Sequence, residues 1–354
     1  MSTLLTVKPI QRAQESETSG IARPPSATQR RVDAIFVALC RALGWVSTLL
    51  VCAIFIQIAV HASPALKDYG LGFLRGTTWD ANKSQYGILP EVWGTLYSSV
   101  LAIILGSAFG LAAAIFLSEG FLGGAVFAAL KRLGIQHHRW CLRMPDRADN
   151  VLRNLIELLA AIPSVVYGLW GIFVVIPLIR PWCDFLHAKF AWIPLFSEPL
   201  SGPGMLPAVI VLSVMILPTV TALSRDALVA VPDKLRVASY GIGATRWETI
   251  LAVLLPSARR GIFGAVVLGF GRALGETMAL AMLVGNANRI SVSLFSPADT
   301  LAALLANNFP EAGPREVPVL MYAALVLLTI TLLVNVAGAA ILARAEDAGA
   351  GGES

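Results

Sequence analysis

SRDALVAVPDKLRVASYGIGATRWETILAVLLPSARRGIFGAVVLGFGRALGETMAL, residues 224–280, sets a polar two-helix segment directly before an apolar run that carries an Arg and a Glu. Pro232 suits the first turn of a helix, where its missing N–H costs nothing, and Gly243 suits the stop. Between them lie Leu235, Ala238, Tyr240 and Ile242. A second helix is predicted to start at Thr245. With Glu248 it has the spacing of a capping box, in which each side chain satisfies an orphan N–H of the other residue. Trp247, Ile250, Leu251 and Leu254 fall at i, i+3, i+4, i+7 as one apolar stripe, and Pro256 is predicted to end the helix. Arg225, Lys234, Arg236, Arg246, Arg259 and Arg260 surround the pair. Two short helices joined by a Gly elbow between hydrophobic spans read as a docking device on the cytoplasmic face.

Working outward, the composition is that of a membrane protein. Apolar residues make up 56% of the 354, charged ones 14%, and mean hydropathy is +0.71. Cys40, Cys52, Cys141 and Cys183 form no CxxC pair, and His137 and His138 lack partners at metal-ligand spacing, so neither a disulfide framework nor a metal site is expected. No GxxxxGK[ST] is present. If the protein is ATP-driven, the nucleotide and its Mg belong to a partner ATPase, and this chain needs no cofactor and is not itself an enzyme.

Six spans are predicted, at about 32–60, 92–117, 151–179, 206–223, 260–284 and 319–343, each able to cover a hydrocarbon core of ~30 Å. Residues 1–31 read as a disordered tail and 344–354 as a short one. Val60-His61-Ala62 is A-x-A-like, but the run before it starts too late and is too long for a signal peptide. With the N-terminus inside, the tails and inner segments hold 19 Lys and Arg, against seven in the outer loops. That bias places both termini and the two-helix segment in the cytoplasm.

Other features receive mostly structural readings. Gly106 and Gly110 make a small-residue face for helix packing, and Pro163 and Pro177 are expected to kink span three. Glu157 reads as an interfacial residue; Ser164 and Tyr167 could face a pore or join helices. Trp79, Trp182 and Trp192, in the outer loops, read as interface anchors. Ser224-Arg225-Asp226 reads as a charge cluster ending span four at the membrane edge.

Val237-Ala238-Ser239, then Gly243, then Leu255-Pro256 resemble the EAA loop of ABC importer permeases: E-A-A, three residues, Gly, nine residues, I-x-L-P. The family's Glu is Val237 here and its second Ala is Ser239. Longer words narrow the match. LIELLAAIPSVVYG at 155–168, MILPTVTALSRD at 215–226, GATRWETI at 243–250 and GRALGETMA at 271–279 are similar to the PstC-type phosphate permeases, from about Tyr86 onward. The resemblance implies an all-α integral membrane protein with the type I importer fold and a coupling loop over 225–258. It assigns ATPase coupling to Val237, Ala238, Ser239, Gly243, Thr245, Trp247, Glu248, Leu255 and Pro256. It implies a second permease of PstA type, a PstB-type ATPase dimer, a periplasmic PstS-type phosphate-binding protein, and a place in the bacterial inner membrane. Residues 119–150 depart from the family, whose connection here is short, and read as an inserted cytoplasmic loop whose apolar piece 121–130 is too short to span.

Only span five carries charges well inside an apolar run. Arg272 and Glu276 stand at i, i+4 and are expected to share a face and pair, with Gly271 and Gly275 letting another backbone come close. One reading is a structural lock. The other is a translocation path, in which the guanidinium offers an oxyanion a bidentate fork that lysine lacks. The resemblance assigns both residues to the path of phosphate. Sulfate, molybdate or tungstate remain alternatives, as does an ion-driven secondary transporter, which would need no docking loop. A membrane enzyme finds no nucleophile–base set.

Overall fold

The computed structural model describes residues 26–81, 83–121, 132 and 144–350, and the chain divides into units 1–57 and 58–354. The expected disordered tail save its last residues, the apolar piece 121–130 save Phe121, and His137, His138 and Cys141 lie outside the described residues. The first unit is helical from Ala27, and Ile35, Leu39, Leu43 and Leu50 are exposed on its sides, as a helix meant for lipid requires. The second unit starts with the end of that helix, which stops at Tyr69.

Among the described residues six helices are long and apolar enough to cross a membrane: Ala27–Tyr69, Leu89–Ser118, Ser164–Phe190, Met205–Val229, Arg246–Leu274 and Val317–Arg344. The number matches expectation; several of the bounds do not. Span three was expected at 151–179. Instead Met144–Ala161 is a separate helix and the chain breaks at Ile162-Pro163, because Pro163 adopts extended backbone and offers no N–H. The Tyr167 hydroxyl donates to the Leu159 carbonyl (2.8 Å), satisfying an acceptor that the break leaves open. Span three therefore starts at Ser164 and runs on through Trp182, which sits on the helix rather than in a loop. Inside the expected insertion 119–150, residues 144–150 are already helical.

Span five was expected at 260–284 and is displaced toward the N-terminus. Its helix starts at Arg246, immediately after the N-cap Thr245 of the capping box, and does not end at Pro256. A π turn over Ile250–Leu254 precedes the proline, so that the Leu255 N–H reaches back five residues to Ile250. The wide turn displaces the carbonyl that the proline ring would otherwise strike. The same device handles Pro177, where the π turn Gly171–Val175 lets Ile176 bond to Gly171. Span four is also longer than 206–223, so Ser224-Arg225-Asp226 continues its helix rather than ending it, and residues 225–229 belong to it rather than to the coupling loop. Span six continues as helix to Ala350, through most of the expected tail.

Span four is the hub, with 61% of its apolar window buried, against about a third or less for the others. Spans two and five lie along it. The Gly106 and Gly110 face packs as expected: a Cβ at Gly106 would stand 2.6 Å from Ile216, and one at Gly110 2.9 Å from Val220. Thr221 donates to the Gly110 carbonyl across the same seam (3.2 Å). The connection between spans one and two holds a small antiparallel hairpin, Trp79–Asp80 with Gln85–Tyr86, that the all-α reading lacked. Tyr86 lies in an apolar cluster with Phe73, Leu301, Leu320 and Tyr322, where Phe73 stacks on Tyr322 at 4.6 Å.

Candidate functional site

The two short helices form as the local sequence dictates. The first is Asp233–Gly241, with Pro232 as its N-cap rather than inside its first turn. Gly243 follows at φ +87°. The Thr245 hydroxyl accepts from the Glu248 N–H, and the Glu248 carboxylate accepts from the Thr245 N–H at 2.7 Å. Ser239, at the family's second Ala position, is buried and shares a hydrogen bond with the buried Thr249 hydroxyl (2.9 Å), joining the helices. The expected apolar stripe divides in two, because the π turn rotates it. Ile250 and Leu254 enter a cluster with Ala114, Leu228, Val231 and Ala258, while Trp247 and Leu251 stay exposed. Val237, Ala238, Tyr240 and Ile242 are exposed beside them, Ile242 at 87%. Leu255 is half-buried and Pro256 exposed within the continuous helix.

At Gly243 a Cβ would meet nothing within 4 Å, so a side chain there strains only the backbone. Gly243→Val is expected to cost about 1–2 kcal/mol, and Gly243→Asn less, since Asn tolerates left-handed backbone. Thermal unfolding of the two purified variants checks this; equal midpoints for Val, Asn and Gly would exclude a strained elbow.

Arg272 and Glu276 do not form the expected pair. The helix ends at Leu274, Gly275 caps it by donating to the Arg272 carbonyl (3.2 Å), and Glu276 donates to Ala273 from beyond the end. A new helix, Met278–Leu283, starts after Thr277, whose hydroxyl donates to the Gly275 carbonyl. The i, i+4 rule fails because the chain is no longer helical at Glu276. Among the described residues neither side chain makes an ion pair. Arg272 is exposed and Glu276 half-buried. A broken helix within a bundle leaves backbone carbonyls free, a state tolerated where the chain lines a cavity or is covered by protein.

Other elements complete the surroundings of the break. Gly168 of span three faces Met282 and Ala279, and Gly171 faces Leu283, so small residues bring the third span against Met278–Leu283. A Cβ at Gly271 would lie 2.8 Å from the Asn335 side chain of span six, whereas Gly275 serves as a cap with no neighbouring element against it. Asn335 is the functional candidate that sequence reading missed. A lone amide in the apolar run LLVNVAG was the available signal. The arrangement offers two kinds of donor suited to an oxyanion, a guanidinium without a carboxylate partner among the described residues and an amide, and a separate carboxylate as acceptor past the unwound turn.

At the bundle end opposite the short helices, two acids missed by the sequence reading are buried. Glu91 is fully buried, and its Oε2 has no hydrogen-bond partner among the described residues. Asp299 accepts from the Thr300 N–H at 2.7 Å, and its carbonyl lies against Gly94. Burial pushes the Asp299 carboxyl up to about 6, against the lowering effect of the Thr300 hydrogen bond. The folded state thus holds the proton more tightly than the unfolded chain. The resulting stability is fully present below the ordinary aspartate value near 4 and lost as pH rises through about 6. Asp299→Asn should match the parent near pH 4 and exceed it at pH 7.5 by roughly 3 kcal/mol or less. Thermal unfolding at the two pH values checks this, and a variant less stable at pH 7.5 would overturn it.

The chain matches the family described as binding-protein-dependent transport system inner membrane component over residues 122–346. It is 36% identical over 317 residues to the phosphate transport system permease protein PstC of Mesorhizobium japonicum, covering 87% of this chain and 90% of that protein. It is 33% identical over 311 residues to PstC of Haemophilus influenzae, covering 86% and 91%. Among solved structures, a bacterial alginate ABC transporter in complex with an alginate pentasaccharide-bound periplasmic protein shares the fold. Its TM-score is 0.54 at 14% identity, over 87% of this chain and 93% of that one. On the family match over residues 122–346 and the likeness to these relatives over most of both chains, the chain belongs to the binding-protein-dependent transport system inner membrane components, among the PstC-type permeases.

Proposed function

We propose that this chain is one of two permease subunits of an ATP-driven importer that takes up inorganic phosphate across the bacterial inner membrane. The observation that carries the reading is Arg272. Its guanidinium stands at the unwound end of span five without an ion-pair partner among the described residues, in a chain akin to phosphate permeases. A guanidinium fork matches two oxygens of a phosphate, and here no carboxylate competes for it. Glu276, past the break, takes the complementary role of accepting a hydrogen bond from a protonated phosphate oxygen.

The remaining assignments follow from that role. A PstS-type binding protein delivers phosphate from the periplasm, and a PstA-type permease supplies the other half of the path. PstB-type ATPases hold ATP-Mg and drive the cycle, so this chain performs no hydrolysis. They seat against the exposed Val237, Ile242, Trp247 and Leu251, with Ala238, Ser239, Gly243, Thr245, Glu248, Leu255 and Pro256 shaping that contact. Both termini and residues 232–255 lie in the cytoplasm, supported by the Lys and Arg bias. Reporter fusions after Arg246 should behave as cytoplasmic and those near Asp299 as periplasmic; the reverse pattern would invert the topology.

The test of substrate is radiolabelled phosphate uptake in cells lacking other phosphate importers, with sulfate and molybdate as competitors. Uptake that phosphate alone competes away is expected. Competition by sulfate or molybdate at equal concentration would reassign the substrate.

A further inference from the structure

We infer that Glu119 is a positioning residue that fastens the end of span two to both short helices, so that movement of those helices reaches the bundle through one buried carboxylate. This rests on the reading of 232–255 as the ATPase contact. Glu119 directly follows the last residue of span two, Ser118, and its side chain is 3% exposed. Its Oε1 accepts from Arg236 of the first short helix at 2.8 Å. Its Oε2 lies 3.5 Å from Nε of Arg246, the first residue of the second helix, and Arg246 Nη2 also donates to the Glu119 carbonyl. One carboxylate thus grips both sides of the Gly243 elbow.

Aromatic contacts extend the grip. Phe121 stacks on Phe116 of span two at 5.8 Å and on Trp247 at 5.7 Å, and the Arg246 guanidinium lies 4.0 Å over the Phe121 ring. Beneath them, Ala114 of span two packs with Leu228 of span four and with Ile250 and Leu254. Apolar contacts alone permit sliding, because they have no preferred direction. A carboxylate held from two sides fixes distance and angle at once. Its removal is costly in a specific way: Arg236 is largely buried and its Nε already lacks a partner among the described residues, so losing Glu119 strands that charge. The three groups therefore move as one body when the ATPases close.

The test uses the complete transporter, assembled with its second permease, ATPases and binding protein in proteoliposomes, reading phosphate uptake and ATP hydrolysis in the same vesicles. In Glu119→Gln the ATPases should still co-purify and hydrolyse ATP within about twofold of the parent. Phosphate moved per ATP should fall about tenfold, the effect of roughly 1.4 kcal/mol of lost coupling. An unchanged ratio overturns the inference. If Glu119→Gln fails to assemble, the double variant Glu119→Gln, Arg236→Gln removes the stranded charge. A fallen ratio in that assembled variant supports the role. A normal ratio, or failure to assemble, rejects it in favour of a purely folding contact. A parent complex that hydrolyses ATP but moves no phosphate refutes the substrate reading instead, which separates the two failures.

Discussion

Arg272→Lys is expected to lower phosphate uptake by roughly 30-fold or more, although the charge is kept. An ammonium supplies one point of contact where the guanidinium supplies a planar fork, and losing one charge-assisted hydrogen bond costs about 2 kcal/mol. Arg272→Gln, which also removes the charge, should fail more completely. The companion variant is Glu276→Gln. Because Gly275 ends the helix and leaves Glu276 outside it, the two side chains make no ion pair to break. The double variant should therefore transport no better than Arg272→Gln alone. Were the two residues a structural lock, the double change would instead be milder than either single one, since it strands no charge. Uptake is normalised to permease in the membrane. Recovery in the double variant would return both residues to a packing role.

Ile242→Asp is expected to release the ATPases while leaving the permease folded. Ile242 is 87% exposed, and Val237, Trp247 and Leu251, close to it along the chain, are exposed as well. Bare apolar side chains grouped this way mark a contact. Burying an Ile side chain contributes about 1.5–3 kcal/mol, so association should weaken on the order of 10- to 100-fold, and further because a carboxylate must be desolvated. Co-purification of ATPase with tagged permease is the measurement, with thermal unfolding of the permease alone as the control. Retention of ATPase at the parent level would place the docking contact elsewhere.

What the sequence determined by itself was everything set by near neighbours. A hydropathy window about twenty residues long suffices to count six spans, because the requirement it reads is membrane thickness. The Thr245–Glu248 box and the Gly243 elbow were legible for the same reason: cap and left-handed turn are decided within four residues. Three prolines show where that stops. Pro163, Pro177 and Pro256 all sit in apolar runs, yet the first breaks its helix while the other two sit behind π turns. The difference is in the neighbours. Gly171 lets Leu283 seat against one widened turn, and Ile250 and Leu254 bury the other, while the Pro163 break is closed by the Tyr167 hydroxyl.

The site divides in the same way. Arg272 was conspicuous because a charge in an apolar run is costly wherever the chain folds. Its supposed partner was misjudged, because helical spacing carries no information about where a helix stops. Asn335 against Gly271, Asp299 against Gly94, and Glu119 between Arg236 and Arg246 join residues far apart in the chain. Glu119 lies 117 and 127 residues from its two partners. Only the packing of the spans on one another brings such groups into contact, since burial in a bundle obliges a charge to find a partner without naming which one.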